Sequence, residues 1–189
     1  MVPLPPPEKS KILKTNSSLD ANKIRFEINS IQLPIGVKGE FGVIIHPGAS
    51  LAVPITDDGK IIILRQYRFA VSSRLLEFPA GTLEPGEDPL ESMKRELAEE
   101  SGYEASKWNH LGISVPCPAY SDEFINIYLA RGLKQLKEKP QGDLDEDIEV
   151  LSMKKEELNN CIASGNEVLD GKSLTAWFRA CQFLNISLT

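Results

Sequence analysis

Hydrophobic residues occur along this chain in short runs, and most of these runs are rich in β-branched and aromatic side chains. Runs of this kind, bounded by Gly, Pro, Asn or Asp, are typical of β-strands. They predict strands at residues 23–33, 41–45, 50–56, 60–66, 74–78, 110–115, 124–130 and 148–152. The turn formed by Asp57, Asp58 and Gly59 predicts a hairpin between two of these strands, because Asp-Gly tolerates the positive φ of a tight turn.

Three later segments carry hydrophobic residues at helical spacing. The first, residues 89–101, follows Asp88 as a helix N-cap and is followed by Gly102, so both of its ends are marked. The second covers residues 154–164. The third contains an apolar stripe that we expect to pack in the core, formed by Leu174, Trp177, Phe178, Cys181 and Leu184.

The chain divides by composition into three parts. Residues 1–22 begin with a proline-rich stretch and are predicted to form a partly disordered tail. Residues 23–46 are predicted to form a small N-terminal β subdomain, and residues 47–189 the main domain. The longest stretch without a charged residue, 41–56, is interrupted by prolines and a glycine, so no membrane span is expected. The N-terminus lacks the apolar core of a signal peptide, which predicts a cytoplasmic protein.

The charge balance excludes one large class of function. The 189 residues contain 27 Asp and Glu against 21 Lys and Arg, a formal net charge of −6. General nucleic-acid binding is therefore not expected, because such binding depends on Lys and Arg neutralising phosphates. A phosphate-bearing ligand would need a local cation. The three cysteines are widely spaced and predict reduced thiols rather than disulfides or a zinc site.

An acidic face on the first helix is the main candidate for chemistry. On an α-helix, Glu96, Glu99 and Glu100 lie within about 100° of one another around the axis. Like charges at this spacing repel, so the helix needs something that offsets the repulsion. Spacing alone leaves two interpretations open: a solvated acidic surface, or a site for a hard divalent cation such as Mg²⁺ or Mn²⁺, which prefers oxygen ligands.

A longer pattern surrounds these glutamates. Gly81 is followed after five residues by Glu87, and after seven more by the run Arg95-Glu96-Leu97-x-Glu99-Glu100-x-Gly102-Tyr103. Residues 81–103 resemble the box motif of the Nudix hydrolases, enzymes that split nucleoside diphosphates linked to another group, at every specified position. The resemblance implies the fold class α/β, with an α/β/α sandwich around a mixed β-sheet.

The resemblance also implies a metal site. By it, the backbone carbonyl of Ala80 and the side chains of Glu96, Glu99 and Glu100 bind Mg²⁺, with Mn²⁺ as a possible substitute. Arg95 orients the carboxylates and Glu87 braces the loop. The metal has a physical rationale, because an acidic protein and an anionic pyrophosphate repel each other unless cations invert the local field.

Flanking residues resemble the ADP-ribose and ADP-sugar pyrophosphatase branch of the family. The similar segments are 65–68 and 76–81, together with Pro118, fifteen residues after Tyr103. The resemblance implies that Arg68, Tyr120 and Glu123 contact the substrate. It also implies a general base in the acidic loop of residues 142–148, where Glu146 is the first choice and Asp145 the second.

The resulting hypothesis is Mg²⁺-dependent hydrolysis of ADP-ribose or a related ADP-sugar to AMP and a sugar phosphate, ribose 5-phosphate in the case of ADP-ribose, by a metal-activated water. Other nucleoside diphosphate derivatives, such as a GDP-sugar or NADH, are alternatives. A non-catalytic nucleotide-sugar sensor is a further alternative, which the intact box glutamates disfavour. The resemblance implies a homodimer in which the small N-terminal subdomain makes the contact, with neither nucleic acid nor membrane as a partner.

Overall fold

The computed structural model describes residues 8–142 and 147–187. These residues fall into two compact units. One contains the chain up to Gly48 together with Val115–Phe124, and the other contains Ala49–Ser114 and the chain from Ile125 onward. Among the described helices, none combines the length and the apolar composition needed to cross a membrane.

The first unit is built on a three-stranded antiparallel sheet in the order β1-β2-β3. The strands are β1 Lys11–Ala21, β2 Ile24–Gln32 and β3 Lys38–Ile45. The segment Val115–Phe124 joins this unit through β3, because Ile44 donates its N–H to the Tyr120 carbonyl over 2.7 Å and accepts from the Asp122 N–H.

Strand β1 lies inside the region predicted to be a tail, so that part of the prediction is wrong. All of its side chains are exposed, and the run from Lys14 to Asp20 is mostly polar. A strand exposed on both faces lacks the hydrophobic alternation that sequence patterns detect. It is held by backbone pairing to β2 along nearly its whole length.

The second unit contains two sheets and the helices. The four-stranded sheet has the order β7-β4-β9-β8, and the three-stranded sheet the order β10-β5-β6. Strands β4 and β9 run parallel while the other pairs are antiparallel, which confirms the predicted mixed sheet and α/β class. The elements are β4 Ala49–Pro54, β5 Ile61–Arg68, β6 Ser73–Glu77, β7 Ala80–Thr82, α1 Pro89–Glu96, β8 Tyr103–Ser114, β9 Ile125–Gln135, β10 Ile148–Met153, α2 Lys155–Ser164 and α3 Gly171–Leu184.

Strand β4 is buried on both faces, and its side chains alternate between two cores. Leu51 and Val53 belong to the larger core, which contains Trp177 of α3 and Leu158 of α2. Ala52 points to the other face, where it packs with α1 residues in a smaller core. Helices therefore cover both faces of the four-stranded sheet, because successive strand residues face opposite sides.

The predicted hairpin is only partly correct. Gly59 adopts a φ of +81° and Thr56 donates to the Lys60 carbonyl over 2.8 Å, so the tight turn exists. Beyond the turn, however, the strands separate into different sheets: β4 pairs with β7 and β9, and β5 with β6 and β10. A fully buried strand such as β4 needs backbone partners on both edges, and more distant segments supply them.

The buried face of α3 differs from the predicted stripe. Trp177 and Cys181 are buried as expected, but Leu174 and Phe178 are about half exposed. The small side chains of Ala176 and Ala180 occupy the buried face instead. Small residues allow α3 to approach the sheet closely, and they carry little weight in a pattern based on large hydrophobic side chains.

Candidate active site

The start of α1 is fixed by local hydrogen bonds. The Asp88 carboxylate caps the helix by accepting from the N–H groups of Leu90 and Glu91, at 2.9 and 3.1 Å. Ser50 of β4 donates to the Pro89 carbonyl over 2.7 Å, which ties the first turn to the central sheet. These contacts fix the position at which the acidic helix leaves the loop after β7.

The acidic segment does not remain α-helical to its end. The predicted helix of residues 89–101 is α-helical over Pro89–Glu96, and Leu97–Ser101 forms a π-helical turn that ends at Gly102 with a φ of +74°. The rotation per residue is smaller in a π-turn than in an α-helix, so residues four apart lie closer to the same angular position. π-Turns inside helices are frequent at functional sites.

Arg95 gathers three of the box carboxylates. Its Nη1 donates to Glu96 over 2.8 Å and to Glu99 over 3.0 Å, and its Nε contacts Glu87 at 3.3 Å. Burial alone lowers the pKa of Arg95, but the hydrogen bond to Glu87 and the charge and hydrogen bond of Glu96 raise it above its usual value. The guanidinium thus holds Glu87, Glu96 and Glu99 on one side of the loop and helix.

Glu100 connects the helix to β7. Its side chain is almost fully buried, and its Oε2 accepts from the backbone N–H of Ala80 over 2.8 Å. Ala80 in turn pairs with Leu51 of β4. Two of the predicted metal-site residues are therefore in direct contact, although they are twenty positions apart in the sequence.

Gly81 lies against the Glu96 carboxylate. A Cβ atom at this position would come within 2.0 Å of Glu96 Cδ and 2.1 Å of Glu96 Oε1. Such distances are far below van der Waals contact, so the glycine of the box leaves space for a buried carboxylate. Its φ is not in the left-handed region, which means that space rather than backbone conformation explains this glycine.

The donor chemistry of this site fits a divalent cation. Glu87, Glu96 and Glu99 share a single guanidinium, and the buried Glu100 adds a further carboxylate beside Ala80. Oxygen-only donors with excess negative charge suit Mg²⁺ or Mn²⁺. The donors do not form a preformed cage: in residues 8–142 and 147–187, no group of three or more His, Cys, Asp or Glu side chains is arranged to hold a metal ion. A cation would compete with Arg95 for Glu96 and Glu99.

Arg68 belongs to an ion-pair network that the sequence did not reveal. Its Nε and Nη2 each donate to the Glu77 carboxylate over 2.7 Å. Lys172 donates to the same carboxylate and, over 2.7 Å, to Asp170. The hydrogen bond to Glu77 raises the pKa of Arg68 above its usual value although burial lowers it, and the charges of Glu77 and Glu100 add to the rise. In the sequence, the glutamate in the apolar run of β6 is the one sign that a buried ion pair is present. No residue near Glu77 in the sequence indicates that Lys172 is its partner.

The remaining predicted residues belong to the first unit or fall outside the described residues. Tyr120 and Glu123 belong to the first unit, where Tyr120 is exposed and donates to Cys117 Sγ over 3.1 Å. Glu123 contacts His46 in that unit, with 3.8 Å between Oε1 and Nε2. Glu146 and Asp145, the candidates for the general base, are outside the described residues.

Comparison with known proteins decides the family. The model of the NUDIX domain matches residues 45–178, more than half of the chain. The chain belongs to the Nudix family. This confirms the predicted family, and with it the assignment of the protein as a Nudix hydrolase.

Similarity to relatives covers almost the whole length of this Nudix protein. An ADP-ribose pyrophosphatase of Bacillus subtilis (strain 168) is 33% identical over 168 residues, covering 89% of this chain and 90% of the relative. A methanol dehydrogenase activator of Bacillus methanolicus is 31% identical, with the same coverage. A solved structure of an ADP compounds hydrolase superposes with a TM-score of 0.79 over 94% of this chain and 95% of that chain. At 24% identity it supports the fold alone.

Proposed function

We propose that this Nudix hydrolase cleaves the pyrophosphate bond of ADP-ribose or a related ADP-sugar, releasing AMP and a sugar phosphate. The observation that carries the proposal is the acidic site in which Gly81 makes room for Glu96, Arg95 gathers Glu87, Glu96 and Glu99, and Glu100 binds Ala80. The near full-length similarity to an ADP-ribose pyrophosphatase supports the substrate class.

In this proposal the Ala80 carbonyl and the carboxylates of Glu96, Glu99 and Glu100 hold Mg²⁺, for which Mn²⁺ can substitute. When bound, the divalent cation offsets the negative charge of the pyrophosphate and lowers the pKa of a coordinated water. Arg95 holds the carboxylates together and orients them, and Glu87 holds the loop through Arg95. Water adds to one phosphorus, the bridging P–O bond breaks, and the other phosphate leaves with the bridging oxygen.

The other predicted residues take substrate roles. Arg68 binds the phosphates through those N–H groups that do not contact Glu77. Tyr120 and Glu123 contact the nucleoside or the terminal sugar, since aromatic and carboxylate side chains suit a base and ribose hydroxyls. Glu146, with Asp145 as the second choice, acts as the general base. Its carboxylate would accept the proton that the attacking water gives up.

Incubation with ADP-ribose and Mg²⁺ is expected to produce AMP and ribose 5-phosphate in equal amounts. The measurement is chromatographic quantification of AMP over time, with the Glu100→Gln variant as the matched control. A panel of ADP-ribose, ADP-glucose, GDP-mannose, NADH and diadenosine polyphosphates then ranks substrates by kcat/KM. AMP production no higher than in the control would reject ADP-ribose, and turnover of GDP-mannose or NADH instead would assign the enzyme to that substrate.

We further propose a homodimer formed through the sheet of the first unit. Leu19 and Phe26 are paired across β1 and β2, and both are substantially exposed, as is Phe41 on β3. Exposed apolar side chains next to an open sheet edge favour association. The dimer is the proposed role of this three-stranded sheet, which consists of the predicted β subdomain at residues 23–46 together with β1.

Light scattering after size exclusion is expected to give about twice the 20.9 kDa chain mass. The paired change Leu19→Ser and Phe26→Ser should shift the protein to monomer, because it removes the apolar contact that would cover the sheet. The change Ile35→Ser, in the exposed turn between β2 and β3, serves as the control and should leave the mass unchanged. A wild-type monomer would contradict the proposal.

A further inference from the structure

Arg68 forms an ion pair with the buried carboxylate of Glu77. The Glu77 side chain is only 2% exposed, whereas that of Arg68 is 42% exposed. Both Glu77 oxygens accept from Arg68, at 2.7 Å each, which is the bidentate geometry that fixes the plane of a guanidinium. The Glu77 carboxylate therefore fixes the position of the Arg68 guanidinium, while part of the guanidinium stays exposed.

The anchor is itself fixed by α3. Lys172 donates to Glu77 and to Asp170, and Asp170 caps α3 by accepting from the Ser173 N–H over 3.1 Å. Burial raises the pKa of Glu77, but Arg68 and Lys172 lower it below its usual value, so the carboxylate stays ionised. Two cations and two anions balance in this network, which offsets the cost of burying Glu77.

The network is placed beside the acidic site. Glu77 is three residues before Ala80, on the segment that leads into the metal-site candidates. Strand β5, which ends at Arg68, contacts the turn Leu97–Ser101 that carries Glu100. The pKa of Arg68 is raised mainly by its hydrogen bond to Glu77, and the charge of Glu100 adds to this effect. Within the part of the chain that the structure describes, Glu77 takes two of the five N–H donors of the Arg68 guanidinium, which leaves three for an anionic ligand.

We propose that Glu77 is a positioning residue for catalysis: it fixes the Arg68 guanidinium so that its remaining donors face the substrate phosphates. An arginine side chain without such an anchor has more rotamer freedom to lose when it binds a ligand. Lys172 and Asp170 complete the arrangement by fixing Glu77. This inference rests on the proposed function, because it assigns the phosphates of that substrate to Arg68.

Steady-state kinetics of Glu77→Gln test the inference. We expect KM for ADP-ribose to rise by about 10- to 100-fold, by analogy with the loss of residues that orient metal ligands, while kcat changes little. The matched control is Glu149→Gln. This change removes a carboxylate partner of Arg65, which lies on β5 as Arg68 does, and it should leave KM unchanged.

A double-variant comparison separates positioning from a structural role. In the Arg68→Ala background, Glu77→Gln should not raise KM further, because the group that Glu77 positions is gone. If Glu77 only supported the fold, the two effects would multiply. Glu77→Asp keeps the buried charge but shortens the side chain, so it serves if Glu77→Gln does not fold, and it should raise KM to an intermediate extent.

Hydrolysis by the wild type distinguishes failure of the proposed function from failure of this inference. Wild-type turnover combined with an unchanged KM in Glu77→Gln and Glu77→Asp would overturn the inference and leave the proposed function intact. A lower KM in Glu77→Gln would also overturn it, because Glu77 would then be withholding Arg68 from the substrate. Failure of the wild type to hydrolyse any member of the panel would overturn the proposed function, and the inference with it.

Discussion

Glu100→Gln is expected to lower kcat by about 10²- to 10³-fold, the range for losing one fixed electrostatic group in an active site. Glu100 is almost fully buried and accepts from the Ala80 N–H over 2.8 Å. Glutamine keeps an oxygen that can accept this hydrogen bond, so the geometry of β7 is retained. The variant removes the negative charge, and with it a proposed ligand of the divalent cation.

Thermal unfolding provides a readout that does not depend on turnover. Removing one charge from a cluster of carboxylates relieves repulsion, so Tm without metal should be equal to or higher than that of the wild type. Mg²⁺ should raise Tm of the wild type by mass action, and raise that of Glu100→Gln less.

The control is Glu91→Gln, which changes an exposed carboxylate on the same helix that pairs with Lys94. It should preserve both kcat and the Mg²⁺ effect. Full activity in Glu100→Gln, or an equal loss in Glu91→Gln, would show that the acidic helix does not act as proposed.

The parts of this site that could be predicted from sequence are those determined by local spacing. The cap at Asp88, the end at Gly102 and the shared face of Glu96 and Glu99 all depend on residues within a few turns of one helix. The contact between Arg95 and Glu99, four positions apart, is of the same kind. Local spacing also explains why the family could be identified from residues 81–103.

The parts that could not be predicted depend on distant pairing. Glu77 and Lys172 are 95 positions apart, and only the packing of α3 beneath β6 brings them together. Strand β4 pairs with β9 and β7 and not with β5, its predicted hairpin partner. Burial of both faces of β4 determines this pairing, and the turn at Gly59 does not. The π-turn after Glu96 likewise could not be read from a pattern that assumes 3.6 residues per turn.

Gly81→Ala is the second change from which we expect a large effect, a fall in kcat/KM of about 10²-fold without loss of the fold. The added Cβ would lie 2.0 Å from Glu96 Cδ, so the carboxylate must move. Its Oε1 is bonded to Arg95 Nη1 at 2.8 Å, and Arg95 also holds Glu87 and Glu99. Displacing Glu96 therefore disturbs the whole set of carboxylates.

Gly171→Ala is the matched control, because this glycine also has an ordinary φ and no atom lies within 4 Å of an added Cβ. It should leave kcat/KM unchanged and stabilise the protein slightly, by about 0.4–1 kcal/mol, through the lower entropy of the unfolded chain.

In the Gly81→Ala background, Glu96→Gln should add little further loss, because the carboxylate has already been displaced. Wild-type activity in Gly81→Ala would mean that the position of Glu96 against β7 is not required. A full additional loss from Glu96→Gln would mean that the carboxylate adapts to the methyl group and that space is not the reason for a glycine at position 81.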